Sequence, residues 1–371
     1  MWMRASLTMM AVLMLAAPGS LSMRAQDAPK GEAARELDSY EAVFEEFGRR
    51  YEVQQTKLDR LAKDENASPQ ERQAVFDEIR KIDIEYVAAL QRYIQRFPNA
   101  KDLEPARYEI VITLSRHEDR LSDAVRAADD YLKEHAGSER AKDVQFARAQ
   151  SLTRTPGREE EALKALDSFI GAWPGAEESD FARTMRVRVL LFMDRTQEAE
   201  EALRQMLKLD KVKKSAEAQQ FIDRQLDDMD WIGRELPKFT LSTLDNKALS
   251  NEDFKGKPML IFIWDSNSSV CLEELGFVKA AWDKYKDLGL NILGISVNES
   301  RPALEQYLKR APTGFANTWM DRAAEGTLIK RLDVTAIPFN VLVDSQGRVY
   351  RYDVRSDELM RYVTRMIERG K

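Results

Sequence analysis

Three heptapeptides spaced 38 residues apart constrain this chain more than any other feature: YIQRFPN at 93–99, YLKEHAG at 131–137 and FIGAWPG at 169–175. Each sets an aromatic residue and an aliphatic neighbour ahead of a helix stop. A similar helix opening follows each one, EPARYEI, VQFARAQ and SDFARTM, the middle one displaced by about three residues. Apolar residues in this half recur at helical spacing, as in Val87, Leu90, Tyr93 and Ile94, or Ala162, Leu163, Leu166, Phe169 and Ile170. A period near this length suits a helix-turn-helix unit that buries its apolar face only by stacking on the next unit. An all-α helical repeat domain is therefore expected over residues 26–230, with less regular helices at 38–65, 69–97 and 214–230 as caps.

The character changes around Trp231 to Pro237. Beyond it, short β-branched runs bounded by turn signals (KFTLSTLDNKAL, PMLIFIW, LNILGISV and FNVLVDSQGRVYRYDV) alternate with helical patterns. Leu275, Val278, Trp282 and Tyr285 stripe one face of a helix expected to stop near Gly289. Strands alternating with helices, closed by a hairpin at Asp344 to Gly347, predict one mixed α/β domain over 231–371.

Residues 1–25 stand apart. A positive charge at Arg4 precedes an apolar run from Leu7 to Ala17 that is too short to span a bilayer, the pattern of a secretory signal peptide. Cleavage is expected after Ala25, with export to a bacterial periplasm or beyond; Met23, third from the cut, fits poorly, and a retained anchor is the alternative. The net charge of -6 gives no general attraction for nucleic acid or anionic lipid, and Lys211, Lys213 and Lys214 read as a solvated helix face. Export permits disulfides, yet Cys271 is the only cysteine, so no intramolecular disulfide can form. The two histidines, His117 and His135, stand without a ligand cluster, and neither a metal nor a cofactor is expected. No Gly-rich phosphate loop is present, and a histidine-free C-terminal domain does not fit a Ser/His/Asp hydrolase.

The helical half resembles tetratricopeptide repeats in period and in its pattern of small and aromatic residues. The C-terminal part has a more specific likeness. Ile232-Gly233, Pro237 and Phe239, then NEDFKGKPMLIFIW, ISVNES, TWMD and LDVTAIPFNVLVDSQGRV, resemble exported thioredoxin-fold proteins of the TlpA/ResA type within the redoxin group. In that family a strand ending in Trp leads into a Trp-x-x-x-Cys-x-x-Cys turn. Counted from Trp264, the resemblance sets Ser268 at the first cysteine position and Cys271 at the second. A helix N-terminus stabilises a thiolate at the first position, making it the attacking sulfur; a serine hydroxyl has a far higher pKa and forms no disulfide. Pro338 after Ile337 corresponds to the family's cis-proline beside the active-site turn, which offers backbone hydrogen bonds to an extended substrate.

Peroxiredoxins share the fold and place Thr-x-x-Cys at this point, which Ser268-x-x-Cys271 imitates; they carry Pro in place of Trp264 and an Arg near the position of Pro338. Gly276 stands where the family has a kinking proline, Asn298 replaces an acidic residue, and Phe262 fills the place of a buried acid. Glu274 matches a family glutamate and reads as a solvated or capping residue rather than a base. The resemblance thus implies a thiol-disulfide oxidoreductase homologue with a degenerate motif: Cys271 and Ser268 at the catalytic positions, with Trp264, Ile337 and Pro338 as the substrate-binding face. Chemistry is limited to single-thiol mixed disulfides at Cys271. The alternative is a redox-inactive module of the cell envelope that binds protein partners through the repeats and the Pro338 loop.

Overall fold

The computed structural model describes residues 38–64, 68–321 and 327–369. The signal peptide expected at 1–25 lies outside these residues. The chain divides into two compact units at Ala202/Leu203.

The first unit is helical. Helices α1 (Tyr40–Lys63) and α2 (Pro69–Arg96) precede three helix pairs: α3 (Leu103–Leu114) with α4 (Leu121–His135), α5 (Ala141–Thr153) with α6 (Glu159–Ala172), and α7 (Glu178–Phe192) with α8 (Thr196–Leu207). From α1 to α7 each helix packs on the next, and α5 also packs on both α3 and α7, as stacked units require. The α2 start follows from its sequence: Ser68 and Glu71 form a reciprocal capping box, with Pro69 in the first turn.

The repeat is carried by recurring contacts. At each helix stop a ring pair four residues apart closes the turn: Tyr93 with Phe97 at 5.2 Å, Tyr131 with His135 at 5.2 Å, and Phe169 with Trp173 at 5.1 Å between centroids. An arginine at each second-helix start bonds a carboxylate three residues on, Arg120 to Asp123, Arg158 to Glu161 and Arg195 to Glu198. Arg148 with Asp129 and Arg186 with Asp167 repeat a longer-range ion pair between units. Exposed pairs of this kind add little energy each, but they fix the register of one unit on the next.

The second unit begins with the end of α8 and includes α9 (Asp210–Lys213) and α10 (Ala216–Met229), so these two helices, read from sequence with the helical region, belong here by contact. Trp231, just past α10, stacks on Tyr352 with centroids 5.8 Å apart and planes within 3°. A hairpin of β1 (Thr240–Ser242) and β2 (Ala248–Ser250) follows. The main sheet has the order β5-β4-β3-β6-β7, formed by β3 (Met259–Trp264), β4 (Asn291–Ser296), β5 (Ala316–Trp319), β6 (Phe339–Val343) and β7 (Val349–Tyr352). β3, β4 and β5 are parallel, while β6 and β7 join antiparallel.

Every residue of β3 is buried, as its unbroken apolar run dictates for a central strand covered on both faces. One face packs Met259, Ile261 and Ile263 against Leu236, Phe239, Leu328, Ile329 and Leu332. The remaining helices are α11 (Ser269–Tyr285), α12 (Arg301–Arg310), α13 (Leu328–Arg331) and α14 (Ser356–Arg369), of which α11 and α14 pack together. α11 continues through Gly276 without interruption, and Gly289 at φ 95° ends the 3-10 turn that follows. At Gly294 a side chain has no room: a Cβ would run into the Asn317 side chain, whose amide is held by Thr313 and the Phe315 carbonyl.

Candidate functional site

β3 delivers Trp264 to the start of a tight turn, and α11 begins five residues later. Asp265 shapes the turn by accepting the backbone N–H of Asn267 on its carboxylate at 2.8 Å and that of Ser268 on its carbonyl at 3.2 Å. Ser268 is the N-cap of α11: its backbone is extended (φ −93°, ψ 117°), and its Oγ accepts the backbone N–H of Cys271 at 3.3 Å. The hydroxyl at the first cysteine position therefore satisfies one of the helix's orphan donors.

Cys271, one turn into the helix, is wholly buried, with 0% of its surface exposed. Its neighbours on the same turn face outward: Val270 is 58% exposed and Leu272 37%. Trp264 is also fully buried, its ring stacked near Phe262 and edge-on to Tyr307 of α12 at 5.6 Å. Trp264, expected on the substrate-binding face, has no exposed surface, because β3 is a central strand covered on both faces and the ring packs between Phe262 and Tyr307.

The Ile337–Pro338 peptide bond is cis. Ile263 pairs with Phe339, so the antiparallel register continued by one residue sets Pro338 opposite Trp264, at the same end of the sheet as the Ser268 turn. Pro338 is buried and Ile337 half-buried, with Ala336 exposed beside them. The fold therefore gathers Ser268, Cys271, Trp264, Ile337 and Pro338 at one end of β3 and leaves neither Cys271 nor Trp264 open to solvent.

Sequence reading missed the polar scaffold beneath the turn. Asn298, just past β4, accepts from the Ser296 hydroxyl at 2.6 Å and the Ser266 backbone N–H at 3.2 Å, and donates to Ser266 Oγ at 2.7 Å. Its carbonyl accepts the Trp319 indole N–H at 2.8 Å. Asn298, Ser266 and Ser296 are all buried. An amide suits this place because it both accepts and donates, which an ionised carboxylate cannot do. The sequence signal was Asn298 itself, an amide where the resemblance places an acidic residue.

Of the solvated and capping roles expected for Glu274, the structure has the second, with its carboxylate on a backbone N–H at the first residue of α14. It is buried, and both carboxylate oxygens accept the Ser356 backbone N–H, at 2.9 and 3.1 Å, tying α11 to the first residue of α14. Burial raises its pKa, while the Ser356 bond and the nearby Arg355 act against that rise. Phe262 is buried and leaves no carboxylate at its place. Among the described residues no group of three or more His, Cys, Asp or Glu side chains is arranged to hold a metal ion, and no helix is long and apolar enough to cross a membrane.

Residues 232–368 match the AhpC/TSA family. The thiol-disulfide oxidoreductase ResA of Bacillus thuringiensis subsp. konkukian is 29% identical over 118 residues, 32% of this chain and 66% of its own length. ResA of Bacillus subtilis is 24% identical over 119 residues, covering 32% of this chain and 65% of its own length. The chain thus spans slightly less than two thirds of these relatives. The solved thioredoxin domain of a thiol-disulfide oxidoreductase from Bacteroides vulgatus is 22% identical, aligning with 37% of this chain and 97% of its own at a TM-score of 0.35. The part of the chain from 232 to 368 is an AhpC/TSA-family redoxin domain, homologous to the ResA thiol-disulfide oxidoreductases.

Proposed function

We propose that this redoxin domain has lost the dithiol cycle and acts, together with the helical repeats, as a protein-binding module. One observation carries the reading: the single thiol, Cys271, has no exposed surface, while the attacking position holds Ser268, whose hydroxyl caps α11. Exchange requires a thiolate that can reach a disulfide sulfur in line, and a wholly buried sulfur offers no approach. Of the two functions read from sequence, burial favours the redox-inactive module over single-thiol mixed-disulfide chemistry.

What remains at the surface is a recognition face. Val270 and Leu272 project from the first turn of α11, at the end of the sheet where Ile337 and Pro338 lie. Exposed apolar side chains beside a loop are suited to an extended peptide. The helical repeats supply a second surface within the same chain. Placement in the bacterial cell envelope rests on the leader pattern at residues 1–25 alone.

The test is reduction of a disulfide-bonded protein such as insulin, with a small dithiol as electron source. Wild type and Cys271→Ala should both match the protein-free rate, and incubation with glutathione disulfide should leave Cys271 free in the folded protein. Catalysed reduction, or a mixed disulfide formed without denaturant, would overturn the reading.

A further inference from the structure

One stretch of the second unit carries a dense positive charge in a chain whose net charge is -6. From the last turn of α8 through α9 lie Arg204, Lys208, Lys211, Lys213 and Lys214, with Asp210 as the acid among them. All five basic residues are exposed, whereas Leu203, Met206 and Val212 of the same stretch are buried. The apolar side chains hold the segment to its unit, and the charges share its solvent side. Asp210 lies 3.7 Å from Lys213 with both side chains largely in water, so it offsets little of the charge.

The backbone under these lysines is tied on both sides. The Gln219 side chain of α10 donates to the carbonyls of Val212 at 3.1 Å and Lys213 at 2.8 Å. The backbone N–H groups of Lys213, Lys214 and Ser215 close on the carbonyls of Leu209, Asp210 and Val212. Ser215 then caps α10 by accepting the Ala218 N–H at 3.1 Å. In the second turn of that helix Phe221 is 52% exposed, a large apolar side chain standing in water within the same unit.

We propose that residues 204–214 dock on the anionic headgroups of a phospholipid bilayer, with Phe221 as an apolar anchor. Most of these charges are lysines, compact point charges on flexible stems, which suit a diffuse anionic surface; gripping a single carboxylate or phosphate calls for the planar fork of arginine. Basic residues joined to an exposed aromatic ring hold a protein at headgroup level without spanning the membrane. Glu217 and Asp223 of α10 are exposed as well, so the attraction rests on the lysines. At physiological salt a screening length of about 8 Å keeps acids elsewhere on the surface from opposing a contact made here. The inference goes beyond the protein-binding reading, and neither Cys271 test depends on it.

The experiment is co-sedimentation of the chain from Gln26, which retains both compact units, with vesicles of phosphatidylcholine alone or mixed in equal parts with phosphatidylglycerol. Binding to the anionic vesicles alone is expected. It should be lost as salt rises from about 0.1 M to about 1 M, where the screening length falls from about 10 Å to about 3 Å. Changing Lys211→Gln, Lys213→Gln and Lys214→Gln together should weaken binding by at least about tenfold, with the thermal unfolding midpoint retained because all three are exposed. Phe221→Ser should weaken it further at low salt. Equal binding to both vesicles, binding that survives high salt, or a triple variant that binds like wild type would overturn the proposal. So would retention on soluble polyglutamate without any on vesicles, which would assign the segment to an acidic protein instead.

Discussion

The Ser268 hydroxyl accepts the backbone N–H of Cys271 at 3.3 Å, so the residue at the position of an attacking cysteine caps the helix that hides the remaining thiol. A redox turn and a helix cap make opposite demands on this position. A cap needs an acceptor held still against the backbone, whereas a nucleophile needs a sulfur free to leave it.

Ser268→Ala should therefore lower stability by about 1 kcal/mol, the usual cost of removing a serine N-cap. Urea unfolding followed by circular dichroism measures it. An unchanged midpoint would mean that the hydroxyl does not cap α11.

Ser268→Cys restores the two-cysteine spacing on a turn that keeps its N-cap geometry. Under a mild oxidant this variant should form an intramolecular disulfide, detected as a loss of two hydrogens by mass spectrometry. Two thiols still titrating after oxidation would show that burial of Cys271 prevents the approach.

Asn298→Ala should cost about 1–3 kcal/mol, because it strands the buried Ser266 and Ser296 groups that the amide satisfies. Asn298→Asp should also destabilise above the carboxylate range: it loses the donor to Ser266 and buries a charge. Denaturant midpoints at neutral pH distinguish both variants from wild type.

Much of the architecture was legible from period alone. Helices at 38–65, 69–97 and 214–230 were expected and occur as Tyr40–Lys63, Pro69–Arg96 and Ala216–Met229, because amphipathic stripes and stops such as Phe97 are local signals. The sheet strands from Met259 and Asn291 were equally plain, being apolar runs between turns. The short β5 was less so: Ala316–Trp319 mixes polar and apolar residues, and its pairing with β4 is a tertiary fact. The burial of Cys271, Trp264 and Glu274 was invisible for a similar reason. A helix register tells which residues share a face, but not which face α14 will cover; Glu274 is buried because Ser356 lies against it.

Acidity should act on the second unit through Asp228 of α10. Burial, and then the charge of Asp353, push its pKa up to about 7 from an ordinary 3.8, against Arg224; Asp227 and Asp333 push the same way as Asp353. The folded state holds this proton to a higher pH than the unfolded chain does, so it binds more protons between about 4 and about 7. Stability should fall as pH rises through that interval and level off above it. Asp228→Asn should remove this part of the slope, read from urea midpoints at about pH 5 and about pH 8; parallel profiles would contradict it.

The most direct test of the central claim is the rate at which Cys271 reacts with an alkylating agent in the folded and the denatured protein, measured across pH. A buried structural thiol predicts reaction only on unfolding, with folded-state labelling slowed by the full factor of the opening equilibrium. Rapid labelling of the folded protein, with an apparent pKa below the free value of about 8.5, would contradict it and mark Cys271 as a working thiol.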